Sequence, residues 1–149
     1  GKKRRSFSSF WKKRGFLLRY AGSWGRISTR HAGSLGLDKA IKDAASACDF
    51  KCVRADEYVS PEDIKKNILE LIEGSKAIIV DLSGSNPNVF YEMGMAHARG
   101  RVVIPICEKD NSQTLPFDVS QFRTIFFHKD NDWGLKGLTD SLIQTLKVI

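Results

Sequence analysis

The sequence is poor in the residues that build metal centres and disulfide frameworks. Among 149 residues there are three cysteines, Cys48, Cys52 and Cys107, and three histidines, His31, His97 and His128. Three cysteines cannot pair completely, and none stands at zinc-type spacing from a histidine. The scattered histidines give no support to a histidine metal site or a Ser-His-Asp triad. We therefore expect no metal, reduced structural thiols and a cytoplasmic location. Long apolar runs are also missing: none approaches the roughly 20 residues of a membrane span, so no membrane partner is expected. No secretory signal and no internal repeat is visible. Acid is absent from residues 1–37, which hold ten basic residues: Lys2, Lys3, Arg4, Arg5, Lys12, Lys13, Arg14, Arg19, Arg26 and Arg30. The chain as a whole has 24 basic and 17 acidic residues, so the rest carries 14 against 17, a net charge of −3. The overall +7 thus belongs to the N-terminal part and not to the fold.

With 42% hydrophobic residues, the chain can build one domain with a sizeable core. We expect residues 1–14 to be a basic, disordered arm and residues 15–149 to be a single α/β domain. Phe7, Phe10 and Trp11 interleave the arm's cations, an arrangement that suits nucleic acid, with aromatic rings stacking on bases. The same Arg- and Ser-rich composition also describes a transit peptide or a solvated tail.

From Leu37 onward, helical and strand patterns alternate, as in a doubly wound parallel sheet. Leu37 to Cys48 reads as a helix with Leu37, Ile41, Ala44 and Ala45 inward, and Phe50 to Arg54 as a strand. Ser60 caps a helix whose buried stripe is Ile64, Ile68, Leu71 and Ile72, ending at Gly74. Arg101 to Cys107 is a buried strand with Pro105 near its exit, and residues 108–120 form a polar loop. Phe122 to Phe127 is the last strand, and Asp132 to Leu146 a closing helix. With Gly15 to Tyr20 as the first strand, this makes about five parallel strands in a flavodoxin-like sheet, ordered 2-1-3-4-5. Right-handed crossovers then set the switch point beside Asp81 and residues 83–88.

The chemistry concentrates at that point. Ala77-Ile-Ile-Val80 is a strand buried on both faces, and Asp81 ends it on the side where ligands bind in open parallel sheets. Ser83-Gly-Ser-Asn86 follows, and Asn86-Pro87 starts a helix: asparagine caps free N–H groups and proline tolerates the first position. Loop and helix start offer N–H donors and a positive dipole end to phosphate or sugar oxygens. In that helix Val89, Met93, Ala96 and Gly100 should face the sheet. Glu92 lies close to their stripe, where a dry carboxylate is costly. It should border a cleft, with a pKa raised by partial desolvation and suited to acid, base or nucleophilic work. An intrahelical pair is the structural alternative. Arg54 and Asp56 lie on the same rim, either to grip a phosphate and a ribose hydroxyl or to pair with each other. His97, five residues past Glu92, falls on another face and reads as a packed or interface residue. Gly22-Ser-Trp-Gly25 is a weaker phosphate-cradle candidate.

The run Asp81-Leu-Ser-Gly-x-Asn-Pro-Asn-Val-Phe-Tyr-Glu92-x-Gly-x-Ala-His-Ala-x-Gly resembles the signature of nucleoside 2-deoxyribosyltransferase-like and TIR-like nucleotide-binding domains. Cys52-Val-Arg-Ala-Asp-Glu57, Leu115-Pro-Phe-Asp118 and Phe122-Arg-Thr-Ile-Phe extend the likeness across roughly Leu37 to Phe127. The resemblance implies a flavodoxin-like sheet and chemistry at an N-glycosidic bond. The family's helix glutamate attacks or stabilises the anomeric carbon, and Glu92 is its match. The implied ligands are a nucleoside, a nucleotide or an NAD-like molecule, with NAD as a substrate and no cofactor required. Homo-oligomers with sites at subunit interfaces, reached by Asp118 and Arg123, are implied as well. Two departures stand out. The transferases carry an aspartate six residues before the glutamate, where this chain has Asn86, and an amide cannot donate a carboxyl proton. The Met-Pro-Phe-like turn after the first strand is missing.

The reading that follows is N-glycosidic cleavage, by hydrolysis or transfer. Glu92 is the catalytic residue; Asp81, Ser83, Gly84, Asn86, Asn88, Arg54 and Asp56 are the substrate-binding set. The alternatives are a non-catalytic nucleotide sensor signalling through residues 108–120, and a nucleic-acid-binding module driven by the basic arm.

Overall fold

The strongest apolar runs of the sequence become the middle of a parallel sheet with helices on both faces. The structure is a computed structural model that describes residues 16–20, 32–54, 64–84, 87–110, 115 and 122–149. For residues 16–20, 32–35, 54 and 64–67 the backbone alone is described. In chain order the elements are β1 (Phe16–Tyr20), α1 (Ala32–Ala47), β2 (Lys51–Arg54), α2 (Ile64–Gly74) and β3 (Ala77–Asp81). There follow α3 (Pro87–Ala98), β4 (Val102–Glu108), β5 (Ile125–Phe127) and α4 (Asp132–Leu146). The sheet runs β2-β1-β3-β4-β5, with every neighbouring pair parallel. This α/β arrangement is compatible with flavodoxin-like winding. No described helix is long and apolar enough to cross a membrane.

Residues of β3 alternate between two cores, because successive strand side chains point to opposite faces. Ile78 and Val80 join Ile68, Leu71 and Ile72 of α2 and Val89, Met93 and Ala96 of α3. Ala77 and Ile79 join Leu37, Ile41, Ala44 and Ala45 of α1 and Leu138, Leu142 and Leu146 of α4. The strand is dry on both sides, which is why it reads as an unbroken apolar run. Each fully buried isoleucine contributes about 1.5–3 kcal/mol. The Thr139 hydroxyl ties α4 to α1, shared between the carbonyls of Ala40 at 3.1 Å and Leu135 at 3.2 Å.

Several expectations need correction. The helix placed at Leu37 begins at Ala32, and the last strand begins at Ile125 and not at Phe122. Phe122 lies before the strand and stacks its ring on His97, with centroids 4.6 Å apart. The Thr124 hydroxyl closes the bend by donating to the Phe122 carbonyl at 3.2 Å. His97 is therefore a packed residue on the far side of α3 from the sheet's carboxyl edge. Gly100 does not face the sheet: it lies exposed beyond the end of α3, in the turn closed by its N–H to the His97 carbonyl. Pro105 is buried inside β4, opposite Val80. It is tolerated because its missing N–H would point toward β5, whose pairing starts only at Ile106.

Candidate functional site

At the carboxyl edge, β3 ends in a half-buried aspartate, and the chain turns at once. Asp81 Oδ1 accepts the Ser83 N–H at 3.0 Å, a side-chain-stabilised turn of the kind aspartate favours. Leu82 is buried, and its N–H donates to the Ile106 carbonyl at 2.8 Å, one rung beyond the strand proper. Ser83 Oγ accepts the Glu108 N–H at 2.8 Å and thereby joins the turn to the end of β4. Gly84 has φ +86°, a conformation that L side chains rarely adopt. A Cβ there would meet nothing within 4 Å, so a side chain at Gly84 would strain the backbone without colliding with a described atom.

Helix α3 opens with Pro87 and Asn88, both exposed, and then buries Val89, Glu92, Met93 and Ala96. The spacing i, i+3, i+4, i+7 places Glu92 inside the apolar stripe, not merely beside it. At 7% exposure it is the one charged side chain in the buried set of described residues. A carboxylate in that position is expensive unless its surroundings serve it. Its helix starts at the edge where Asp81, Ser83 and Gly84 turn, so these residues belong to one strand-turn-helix unit.

The end of β4 adds a thiol and more carboxylates. Cys107 is fully buried, and its thiol is pushed up from 9.0 to about 11. Burial is the main cause and the nearby Asp81 carboxylate the next, offset in part by a hydrogen bond from Ser83; Glu108 pushes it up further. The thiol therefore stays protonated in the fold at pH values where an unfolded chain would lose its proton. That contribution to stability is complete below about pH 9 and is lost as pH rises toward about 11. Urea melts between pH 8 and 11 should show a decline that is flatter in Cys107→Ala. Cys107 of the native protein should also resist an aromatic disulfide reagent at pH 8 and react once unfolded.

Glu108, Asp110 and Asp130 bring carboxylate oxygens within 4.8 Å of one another. Sequence spacing hides this group, since Asp130 reaches it only through the pairing of Glu108 with Phe127. Away from the carboxyl edge, a shallow groove of about 290 Å³ lies between α1 and α4, lined by Lys39, Asp43, Leu135, Lys136 and Thr139 among others.

Of the candidates read from the sequence, Asp81, Ser83, Gly84, Asn88 and Glu92 all fall on this unit. Arg54 ends β2, but its side chain is outside the described residues, as are Asp56 and Asn86. The basic arm, the Gly22–Gly25 loop, the Ser60 cap, Asp118 and most of the 108–120 loop also lie outside them. Leu115 of that loop is described, and it packs against the core that holds Val89 and Met93. What sequence reasoning missed is the use of Ser83 as an acceptor for β4, because its partner lies 25 residues away.

No family model matches the chain, and no curated protein matches it. Among solved structures it is similar to a 2-desoxiribosyltransferase from Leishmania mexicana, at 20% identity and a TM-score of 0.48. That match covers 62% of this chain and 65% of the transferase, less than two thirds of the transferase's length. It is also similar to an NAD(P)H:quinone oxidoreductase from Methanothermobacter marburgensis, at 9% identity and a TM-score of 0.47. There 89% of this chain and 93% of the other are covered.

Proposed function

We propose that this domain binds a nucleoside, nucleotide or NAD-like molecule at the carboxyl edge and cleaves its N-glycosidic bond through Glu92. The observation that carries the reading is the burial of Glu92 within the apolar stripe of the helix that follows the Asp81 turn. The signature from Asp81 to Gly100 resembles that of nucleoside 2-deoxyribosyltransferase-like and TIR-like domains, which supports the same chemistry. In the reaction, the electron pair of the bond between the anomeric carbon and nitrogen leaves with the base. The sugar carbon becomes oxocarbenium-like, and Glu92 stabilises it or bonds to it, as carboxylates do in glycoside hydrolysis. Water then supplies the new oxygen and releases a proton. The carboxylates of Asp81 and Glu108 at this edge suit a centre that develops positive charge. Asn88 and the backbone at Gly84 orient sugar and phosphate.

Asn86, standing where the transferases have an aspartate, favours water over a second base as acceptor. It also favours the competing reading, a nucleotide sensor that binds without turnover. Incubation with NAD and a panel of nucleosides and nucleoside monophosphates, with chromatographic detection of the freed base, separates these readings. Release of a base supports cleavage, whereas binding without release leaves the sensor.

A further inference from the structure

Ser83 stands past the end of β3, yet its side chain serves β4. In the ladder between these strands, the Leu82 N–H donates to the Ile106 carbonyl at 2.8 Å, so the backbone groups of Ile106 face β3. Two residues on, the Glu108 N–H faces the same way, but the chain after Leu82 is already turning toward α3. Ser83 Oγ takes the place of the departing backbone acceptor at 2.8 Å. On its other side, the Ser83 N–H is held by Asp81 Oδ1 at 3.0 Å. The residue thus fastens the turn to both strand ends, its N–H to Asp81 of β3 and its hydroxyl to the Glu108 N–H and the Cys107 thiol of β4, and that hydroxyl is engaged before any ligand arrives.

We propose that Ser83 is a positioning residue: it locks residues 82–84 across the ends of β3 and β4, in the shape that presents the Gly84 backbone and the start of α3 to a sugar phosphate. This rests on the nucleotide-binding reading above. Ser83 contributes the shape of the turn and no direct contact with the ligand. The neighbouring Gly84, exposed at φ +86°, is then the residue whose backbone the ligand approaches.

Calorimetry with adenosine 5′-monophosphate and amide hydrogen exchange, both on the full chain, test the proposal in the parent, Ser83→Ala and Ser83→Thr. In Ser83→Ala the Glu108 amide should exchange about tenfold faster and nucleotide affinity should fall about tenfold, the loss of one hydrogen bond's worth of order. Ser83→Thr keeps the hydroxyl and should restore both. Lower affinity with an unchanged Glu108 amide would make Ser83 a ligand contact and overturn the proposal. So would a faster Glu108 amide with undiminished affinity. A parent that binds no nucleotide overturns the functional reading first and the proposal with it.

Discussion

Glu92→Gln is expected to lose base release by roughly 10²–10⁴-fold, the range for a positioned acid or base, and by more if the carboxylate is the nucleophile. Amide and carboxylate are nearly isosteric, so Val89, Met93 and Ala96 keep their packing and α3 keeps its stripe. Glutamine keeps the side chain's shape and much of its hydrogen-bonding capacity, so stability should stay close to the parent's. The loss therefore belongs in kcat while the thermal midpoint stays within a few degrees. A variant that turns over like the parent would make Glu92 a structural residue. A variant that fails to fold would be replaced by Glu92→Asp, which keeps the charge, withdraws it by one methylene and should also slow turnover.

The second large effect is structural and lies at the start of α4. Gly134 donates its N–H to Asn131 Oδ1 at 2.7 Å, the helix's N-terminal cap. A Cβ at that position would overlap the His128 carbonyl oxygen and lie 2.8 Å from both the carbonyl carbon and the Cβ of His128. Backbone atoms cannot swing aside as a side chain does, so Gly134→Ala must displace either the cap or the turn after β5. We expect a cost of about 3 kcal/mol or more, the upper end for overpacking. At this chain length that is roughly 6–12 °C in the thermal midpoint. Gly137→Ala is the control on the same helix: a Cβ there meets nothing within 4 Å. Alanine should then stabilise by up to about 1 kcal/mol through helix propensity. Equal effects of the two substitutions would contradict the geometry at His128.

What the sequence made legible follows from how local each signal is. Ala77 to Asp81 could be placed because a strand dry on both faces is an apolar run, and Asp132 to Leu146 because its stripe is regular. Glu92 stood out because a carboxylate at helical spacing from Val89 and Ala96 conflicts with its neighbours. The start of α1 was hidden: Ala32-Gly-Ser-Leu-Gly36 has two poor helix formers and no apolar period. There the fold overrides propensity, with Gly36 lying against Leu135 of α4. The bend at Phe122 depends on a ring carried by another helix. The Ser83 latch and the group of Glu108, Asp110 and Asp130 depend on strand pairing across long stretches of chain. Contacts of this kind have no local trace.

The central claim is that a nucleotide meets Glu92 at the carboxyl edge of the sheet. Titrating ADP-ribose into protein carrying ¹⁵N in its backbone and ¹³C in its glutamate carboxyls reads that meeting directly. The account predicts that the Glu92 carboxyl resonance and the amides of Leu82, Ser83, Gly84 and Asn88 shift together, with a single affinity. Shifts confined to the groove between α1 and α4, at Asp43, Leu135 and Thr139, with Glu92 unmoved, would contradict it.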